Sequence, residues 1–289
     1  MRDSLIKAIT TNSNIRVTAV YTKEIVERAR QIHKTLPVAT AALGRTLSAT
    51  SIIGANLKNE DGSVTVQIKG GGPLGSIVCV SDSQGRVRGY LQNPAVDIPL
   101  KPNGKLDVSG AVGQDGFLTV IKDLSMKEPF IGTTALVSGE IAEDVTSYFA
   151  QSEQIGAACA LGVLVDTDQS VKQAGGYIIE VMPNADDGDI MVLEHNIANI
   201  APVTTLLDQG LSMEDIVRKV LEGFDVEILE QTPICYDCKC TRERVSQALI
   251  SIGKKDLLEI VENEEKIEMT CQFCDEIYNF SKEEILEMI

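Results

Sequence analysis

Residues 234–245 read ICYDCKCTRERV, and residues 270–278 read TCQFCDEIY. Five of the seven cysteines lie in these two stretches: Cys235, Cys238 and Cys240 in the first, Cys271 and Cys274 in the second, with 30 residues between Cys240 and Cys271. Two thiol-bearing knuckles brought together by a folded insert offer tetrahedral Zn²⁺ four sulfur ligands, with no histidine needed. Spacing leaves the choice of four open. Cys235 and Cys238 form a Cys-x-x-Cys that would pair with Cys271 and Cys274 in ordinary zinc-ribbon fashion; Cys238 and Cys240 form a Cys-x-Cys that would also serve. A tail of 57 residues from Pro233 to Ile289 has a small core and needs such a staple. Cys79 in SIVCVSD and Cys159 in GAACALG sit in apolar runs instead and are expected in the core.

Outward from the cysteines, composition narrows their chemistry. The chain has 289 residues, 44% of them hydrophobic, enough for one large or two ordinary domains. Its start, MRDSLIKAITTNSNIRV, lacks the basic-then-apolar order of a secretory signal, and no window approaches eighteen consecutive apolar residues. A cytoplasmic location is expected. Thiols there are held reduced, so the cysteines read as metal or redox chemistry and not as structural disulfides.

Charge is uneven. Residues 1–140 hold 16 Lys and Arg against 12 Asp and Glu; residues 141–289 hold 10 against 30. The C-terminal half has the wrong sign to follow a phosphate backbone, and with no Trp and 4% aromatics the chain has few stacking platforms. Neither a nucleic-acid nor a membrane partner is expected.

Periodicity places the elements. IRVTAVYT alternates like a half-buried strand, KEIVERARQIHKTL follows at helical spacing with Pro37 expected to end it, and VATAALGRTLSATSIIGANL reads as a long apolar helix packed on a sheet. SVTVQIK, GSIVCVSD and RVRGYLQ are strands separated by hairpin-length GGGP and SDSQG turns, so antiparallel pairing is expected. FLTVIKDL, FIGTTALVSG, ACALGVLVDT and GGYIIEVM are further strands, interrupted by EDVTSYFAQSEQ at helical period. Strands and helices without a βαβ rhythm give an α+β class. After VMPNADDGDI the pattern is helical from Asp189 to Gly223. Ser212 and Asp215 make a capping box there, Leu211 and Ile216 the staple, and Gly223 a C-terminal stop. A second capping box, Ser281 with Glu284, lies in the tail, and RERVSQALISIG puts Val245, Ala248, Leu249 and Ile252 on one helical face. Boundaries fall near Met182 and near Thr232.

Other motifs are weak. Gly70, Gly72 and Gly75 fit Gly-x-Gly-x-x-Gly, but a strand follows where a phosphate site needs a helix, so they read as a turn. His33 and His195 lie in no triad or His-Glu-x-x-His context. Catalysis has little to stand on.

At CKCTRERV and CQFCDEIY the chain resembles heat shock protein 33, the redox-regulated bacterial holdase chaperones. The resemblance continues through ATSIIGANLK, GSVTVQIKGGGPLG, YFAQSEQI and AGGYIIEVMP, in that order. It implies a chaperone core at 1–182, a helical linker region at 183–231 and a small zinc-binding switch domain at 232–289. The family places its Cys-x-Cys directly before the TRER helix start. That selects Cys238, Cys240, Cys271 and Cys274 as ligands of one Zn²⁺ and leaves Cys235 supernumerary. It further implies Cys238–Cys240 and Cys271–Cys274 disulfides in the oxidised form, ATP-independent binding of unfolding proteins without enzymatic turnover, and dimerisation on activation. The competing readings are a zinc-ribbon nucleic-acid or transcription-associated module, with Arg242 and Arg244 on phosphate, and a metalloenzyme or thiol oxidoreductase.

Overall fold

The computed structural model describes residues 1–263 and 266–288 and divides the chain into two compact units, Met1–Tyr236 and Asp237–Ile289. In chain order the first unit contains β1 (Ser4–Thr10), β2 (Ile15–Tyr21), α1 (Lys23–His33), α2 (Pro37–Ala55), β3 (Ser63–Lys69), β4 (Ser76–Asp82), β5 (Val87–Leu91), α3 (Val108–Val112), β6 (Phe117–Asp123), β7 (Phe130–Ala135) and α4 (Ala142–Tyr148). A π-helical turn (Phe149–Glu153), β8 (Ala157–Val165), β9 (Val171–Val181), α5 (Asp187–Asn199), α6 (Val203–Asp208), α7 (Met213–Val220) and β10 (Val226–Pro233) complete it. The strands form two antiparallel five-stranded sheets, ordered β10-β1-β2-β9-β8 and β5-β4-β3-β6-β7. The α+β class read from the sequence is the class the structure has.

Helix α2 is the centre of this unit. It packs on strands of both sheets, which explains why its apolar residues run all round the helix and not along one stripe. Its small residues permit that approach: a Cβ on Gly44 would lie 2.6 Å from Val26 Cγ1, and one on Gly54 would lie 2.6 Å from the Asp82 carbonyl oxygen. The buried hydroxyls of Thr46, Ser48 and Thr50 donate to carbonyls one turn back, at 2.9, 2.9 and 2.6 Å, so none is stranded in the core. Pro37 does not end the preceding helix. Lys34 does so, in left-handed geometry, and Pro37 begins α2, where its missing N–H has no helical partner to lose. Helix α1 has no side-chain cap from Thr22. Asp3, just ahead of β1, supplies it, accepting from the Glu24 and Ile25 amides at 3.0 and 2.7 Å.

The other face of the first sheet is covered by α5, α6 and α7. Ile6, Ala8, Val17, Ala19, Tyr177 and Ile179 of the sheet form one core cluster with Leu193, Leu206, Leu207, Ile216, Val217 and Val220. The Ser212–Asp215 capping box forms as read, with reciprocal bonds at 2.9 and 3.1 Å. The helical pattern read from Asp189 to Gly223 is present as α5, α6 and α7, but the rest of the linker region expected to 231 is not helical. Val226–Pro233 is a strand, paired antiparallel with β1 at the sheet's edge. The GGGPLG stretch is the β3–β4 turn, with Gly71 and Gly75 at φ of 77° and 69°. Cys79 is buried; Cys159 is half-buried on edge strand β8 and packs on the core.

Candidate metal centre

The second unit contains α8 (Arg242–Ile252), α9 (Lys254–Asn263), the hairpin of β11 (Lys266–Thr270) with β12 (Ile277–Ser281), and α10 (Lys282–Met288). Its core is small: Leu249, Leu257, Val261, Ile267, Phe280 and Ile285 are its buried apolar members among the described residues. The Ser281–Glu284 capping box at the start of α10 forms as the sequence reads, and α8 has a cap of its own. Thr241 Oγ1 accepts from the Arg244 amide at 3.3 Å, and Ser281 and Glu284 exchange bonds at 2.8 and 3.2 Å.

These elements deliver four sulfurs to one place. Cys238 and Cys240 lie in the irregular segment ahead of α8, and Cys271 and Cys274 in the turn between β11 and β12, which is closed by Cys271 N–H to the Glu276 carbonyl at 2.9 Å and Asp275 N–H to the Cys271 carbonyl at 2.9 Å. All four Sγ atoms are within 4.8 Å of one another; Cys238 to Cys271 is 3.7 Å and Cys240 to Cys274 is 3.3 Å. A tetrahedron with metal–sulfur bonds of about 2.3 Å has edges of about 3.8 Å. The donor set therefore fits one tetrahedral ion. No other group of three or more metal-capable residues occurs among the described residues.

Electrostatics point the same way. Burial pushes the Cys238 thiol up to about 11 and raises Cys274 as well. Burial also acts to raise Cys240, but hydrogen bonds from Tyr278 and from the other three thiols outweigh it and hold Cys240 below the ordinary thiol value. Burial thus sets Cys238 and Cys274 against carrying charge, while Cys240 is favoured to carry it. A divalent cation is what would let all four ionise together. Tyr278 on β12, whose hydroxyl donates to Cys240 Sγ at 3.2 Å, has no signature in the sequence, because it reaches the sulfur only once the hairpin turn has formed.

Cys235 is not part of this cluster. It is exposed and belongs to the larger unit, where its carbonyl accepts from the Val87 amide at 3.1 Å and its neighbour Tyr236 bridges Val87 in parallel. Arg242 is paired with Glu284 at 2.6 Å and stacked 4.4 Å above the Phe280 ring, and Arg244 donates to the Lys239 carbonyl at 3.0 Å. Both guanidinium groups thus serve the fold of their own unit. His33 Nε2 lies 2.9 Å from the Gly89 carbonyl oxygen, a packing contact, and His195 lies beside Asn199 on α5. No helix among the described residues is long and apolar enough to cross a membrane.

A family model described as Hsp33 protein matches residues 3–281. The chain belongs to the Hsp33 family. Within that family it is similar to the 33 kDa chaperonin of Clostridioides difficile, 49% identical over all of this chain and 99% of the relative, and to that of Alkaliphilus metalliredigens, 47% identical over 99% and 98%. The crystal structure of the Thermotoga maritima 33 kDa chaperonin, a heat shock protein 33 homologue, superposes with a TM-score of 0.91 at 37% identity, covering 100% of this chain and 98% of that one. The Hsp33 resemblance expected from the sequence is thereby established for the whole length, and the four-cysteine cluster is a metal-capable site in an Hsp33 chain.

Proposed function

We propose that this Hsp33 chain is a redox-regulated, ATP-independent holdase: dormant when reduced and zinc-loaded, and active when oxidation has unfolded its C-terminal and linker segments. The observation that carries the proposal is the convergence of Cys238, Cys240, Cys271 and Cys274 in a unit with so little core. Those four residues would hold one Zn²⁺, which when bound supplies charge compensation for four thiolates and a cross-link between the two knuckles. Residues 232–289 are the switch, 183–231 the linker and 1–182 the chaperone core.

Each step of the switch has a physical basis in the chain. Thiolates in a half-buried cluster are the nucleophilic form of cysteine and react with peroxide. Each pair, Cys238–Cys240 and Cys271–Cys274, gives up two electrons to form a disulfide, while one peroxide takes up two electrons and two protons to leave as two waters. Two such disulfides close very short loops, and the stabilisation a disulfide provides shrinks with loop length. Two knuckles that had been joined across the sequence become two local staples. Structural zinc is worth about 10–16 kcal/mol in finger-sized folds, comparable to the entire stability of a domain at about 5–15 kcal/mol, so a core this small does not survive its loss.

The linker follows because its helices have no independent stability. Helices α6 and α7 have 6 and 8 residues, below the roughly 12–15 that persist alone in water, and they exist by packing on the first sheet. Undocking them uncovers the apolar faces of both layers, a surface suited to unfolding clients. Cytoplasmic residence, where thiols start reduced, and dimerisation of the active form complete the reading. Turnover of a substrate has no part in it. The nucleic-acid alternative needs Arg242 and Arg244 directed at phosphate, and both are engaged within their unit.

The decisive experiment measures zinc release and thiol state after peroxide treatment, beside suppression of aggregation of a chemically unfolded client. About one zinc per chain should leave as the four thiols disappear, and suppression should rise with it. An oxidised, zinc-free protein that suppresses aggregation no better than the reduced one would end the proposal.

A further inference from the structure

The two five-stranded sheets present four edge strands, and three of them are blunted. Along β5 the chain's own Tyr236 forms a parallel bridge to Val87. Strand β8 is half-buried or buried along its whole length, and its Cys159 amide already donates to Thr146 Oγ1 at 3.1 Å. Strand β10 carries Glu227 and Glu230 and ends in Pro233, the charge and proline that discourage edge pairing. Strand β7 has neither. Its sequence, FIGTTA, contains no charge and no proline, and it ends its sheet.

The edge is also apolar and exposed, with α4 and the π-helical turn packed against one face of the strand. Phe130 and Ile131 are 57% and 64% exposed, and exposed Phe117 and Val137 extend the strip at the other end of the strand. The amide of Leu136 donates to the Gly116 carbonyl at 2.9 Å, which sets the alternation for the β6–β7 pair. By that alternation Phe130, Gly132 and Thr134 bond inward to β6, and the N–H and C=O groups of Ile131, Thr133 and Ala135 point outward along the edge. Beside the strand is a cavity of about 390 Å³ lined by Lys122, Phe130, Ile131, Gly132, Tyr148, Ser152 and Glu153. The Glu153 carboxylate in it is already engaged by Lys122 at 2.6 Å and by the Tyr148 hydroxyl, so Phe130 and Ile131 form its available apolar wall.

We propose that β7 is a strand-addition site for an extended, uncharged segment of an unfolding protein, paired through the outward groups of Ile131, Thr133 and Ala135 with one apolar side chain in the adjoining cavity. Naming that segment a client's rests on the holdase reading above. A second copy of this chain fits the edge poorly. Six residues span about 20 Å, and one strand pair of that length buries far less than the roughly 1,200–2,000 Å² of a stable dimer. A short neutral segment of an unfolding chain does not need that area for a transient contact. The edge is exposed in the folded chain, so it binds before oxidation, weakly and transiently; surfaces released from the linker add avidity afterwards.

The test uses the full-length protein, reduced and oxidised, with a fluorescent twelve-residue probe peptide of alternating valine and threonine and lysines at both ends. Anisotropy should show binding to the reduced protein. Ile131→Lys, which places a charge on the edge, and Thr133→Pro, which removes an outward donor, should each weaken binding about tenfold or more, with circular dichroism and zinc content unchanged. Amide exchange of the unmodified protein should slow at Ile131, Thr133 and Ala135 when the peptide is added. That readout needs no variant and decides the matter if a substitution fails to fold. No peptide binding, unchanged affinity in both folded variants, or no slowing at those amides would each overturn the proposal, as would the same slowing appearing on self-association without peptide. If the edge binds peptide while oxidation leaves aggregation suppression unimproved, the holdase reading fails and the strand-addition site stands. If oxidation improves suppression while the edge amides stay unprotected, the reverse holds.

Discussion

Replacing Ile216 by alanine probes the layer on which the proposed switch depends. Ile216 lies on α7 with 0% of its surface exposed, inside the cluster that joins the α5–α7 layer to the first sheet. The substitution removes three carbon groups at about 0.8 kcal/mol each. It also leaves a cavity of about 70 Å³, which at about 24 cal/mol per Å³ adds between 1 and 2 kcal/mol. The expected loss is about 4 kcal/mol. The Ser212–Asp215 capping box at the start of α7 is worth about 1 kcal/mol and cannot offset it. At about 1.4 kcal/mol per decade, the population with this layer undocked rises by nearly a thousandfold. Site-resolved amide exchange on the reduced, zinc-loaded protein should show faster exchange in α5–α7 than in the second sheet, and the reduced variant should suppress client aggregation. A loss below 1 kcal/mol in urea unfolding, or acceleration spread evenly through both sheets, would refute the reasoning that packing alone holds these helices.

Other consequences are direct. Cys274→Ser removes one of four sulfurs and should abolish tight zinc retention and unfold residues 237–289 in the reduced state, which metal analysis with two-dimensional NMR would check; a full complement of bound zinc would contradict the ligand assignment. Tyr278→Phe deletes the hydroxyl that donates to Cys240 and should weaken zinc affinity about 10–100-fold without unfolding the unit, read by competition against a chromophoric chelator. Burial carries the Asp3 carboxyl to about 6 from an ordinary 3.8, mainly by desolvation and against the pull of the Glu24 and Ile25 amides. The fold therefore favours its protonated form: the stability it contributes is complete below about pH 4 and is lost as pH rises through 6. Urea midpoints measured from pH 4 to 7.5 should fall through that window less steeply for Asp3→Asn than for the unmodified protein.

Much of the molecule was legible locally. The strands from IRVTAVYT to GGYIIEVM, the long buried helix, and both capping boxes depend on residues within a turn or a hairpin of one another. Alternation, small-residue content and Ser/Glu spacing therefore report them directly. The exceptions share a cause. The cap of α1 is Asp3, nineteen residues before Thr22 and just ahead of β1. The end of the expected helical region is a strand because β1 offers VEILEQTP an antiparallel partner more than two hundred residues away.

The division between sequence and tertiary structure is sharpest at the cysteines. Their spacing alone determines that four thiols are available in two knuckles, because ligand number and knuckle length are properties of the linear chain. It leaves Cys235 and Cys240 as equal candidates for the fourth position. Tertiary structure separates them. The backbone at Cys235 and Tyr236 is held by Val87 and assigned to the larger unit, whereas Cys240 follows the turn into α8 and meets Cys274 across the β11–β12 hairpin. Hydrogen bonds to a distant edge strand decide which sulfur reaches the cluster, and no local pattern in ICYDCKCTRERV encodes such a bond.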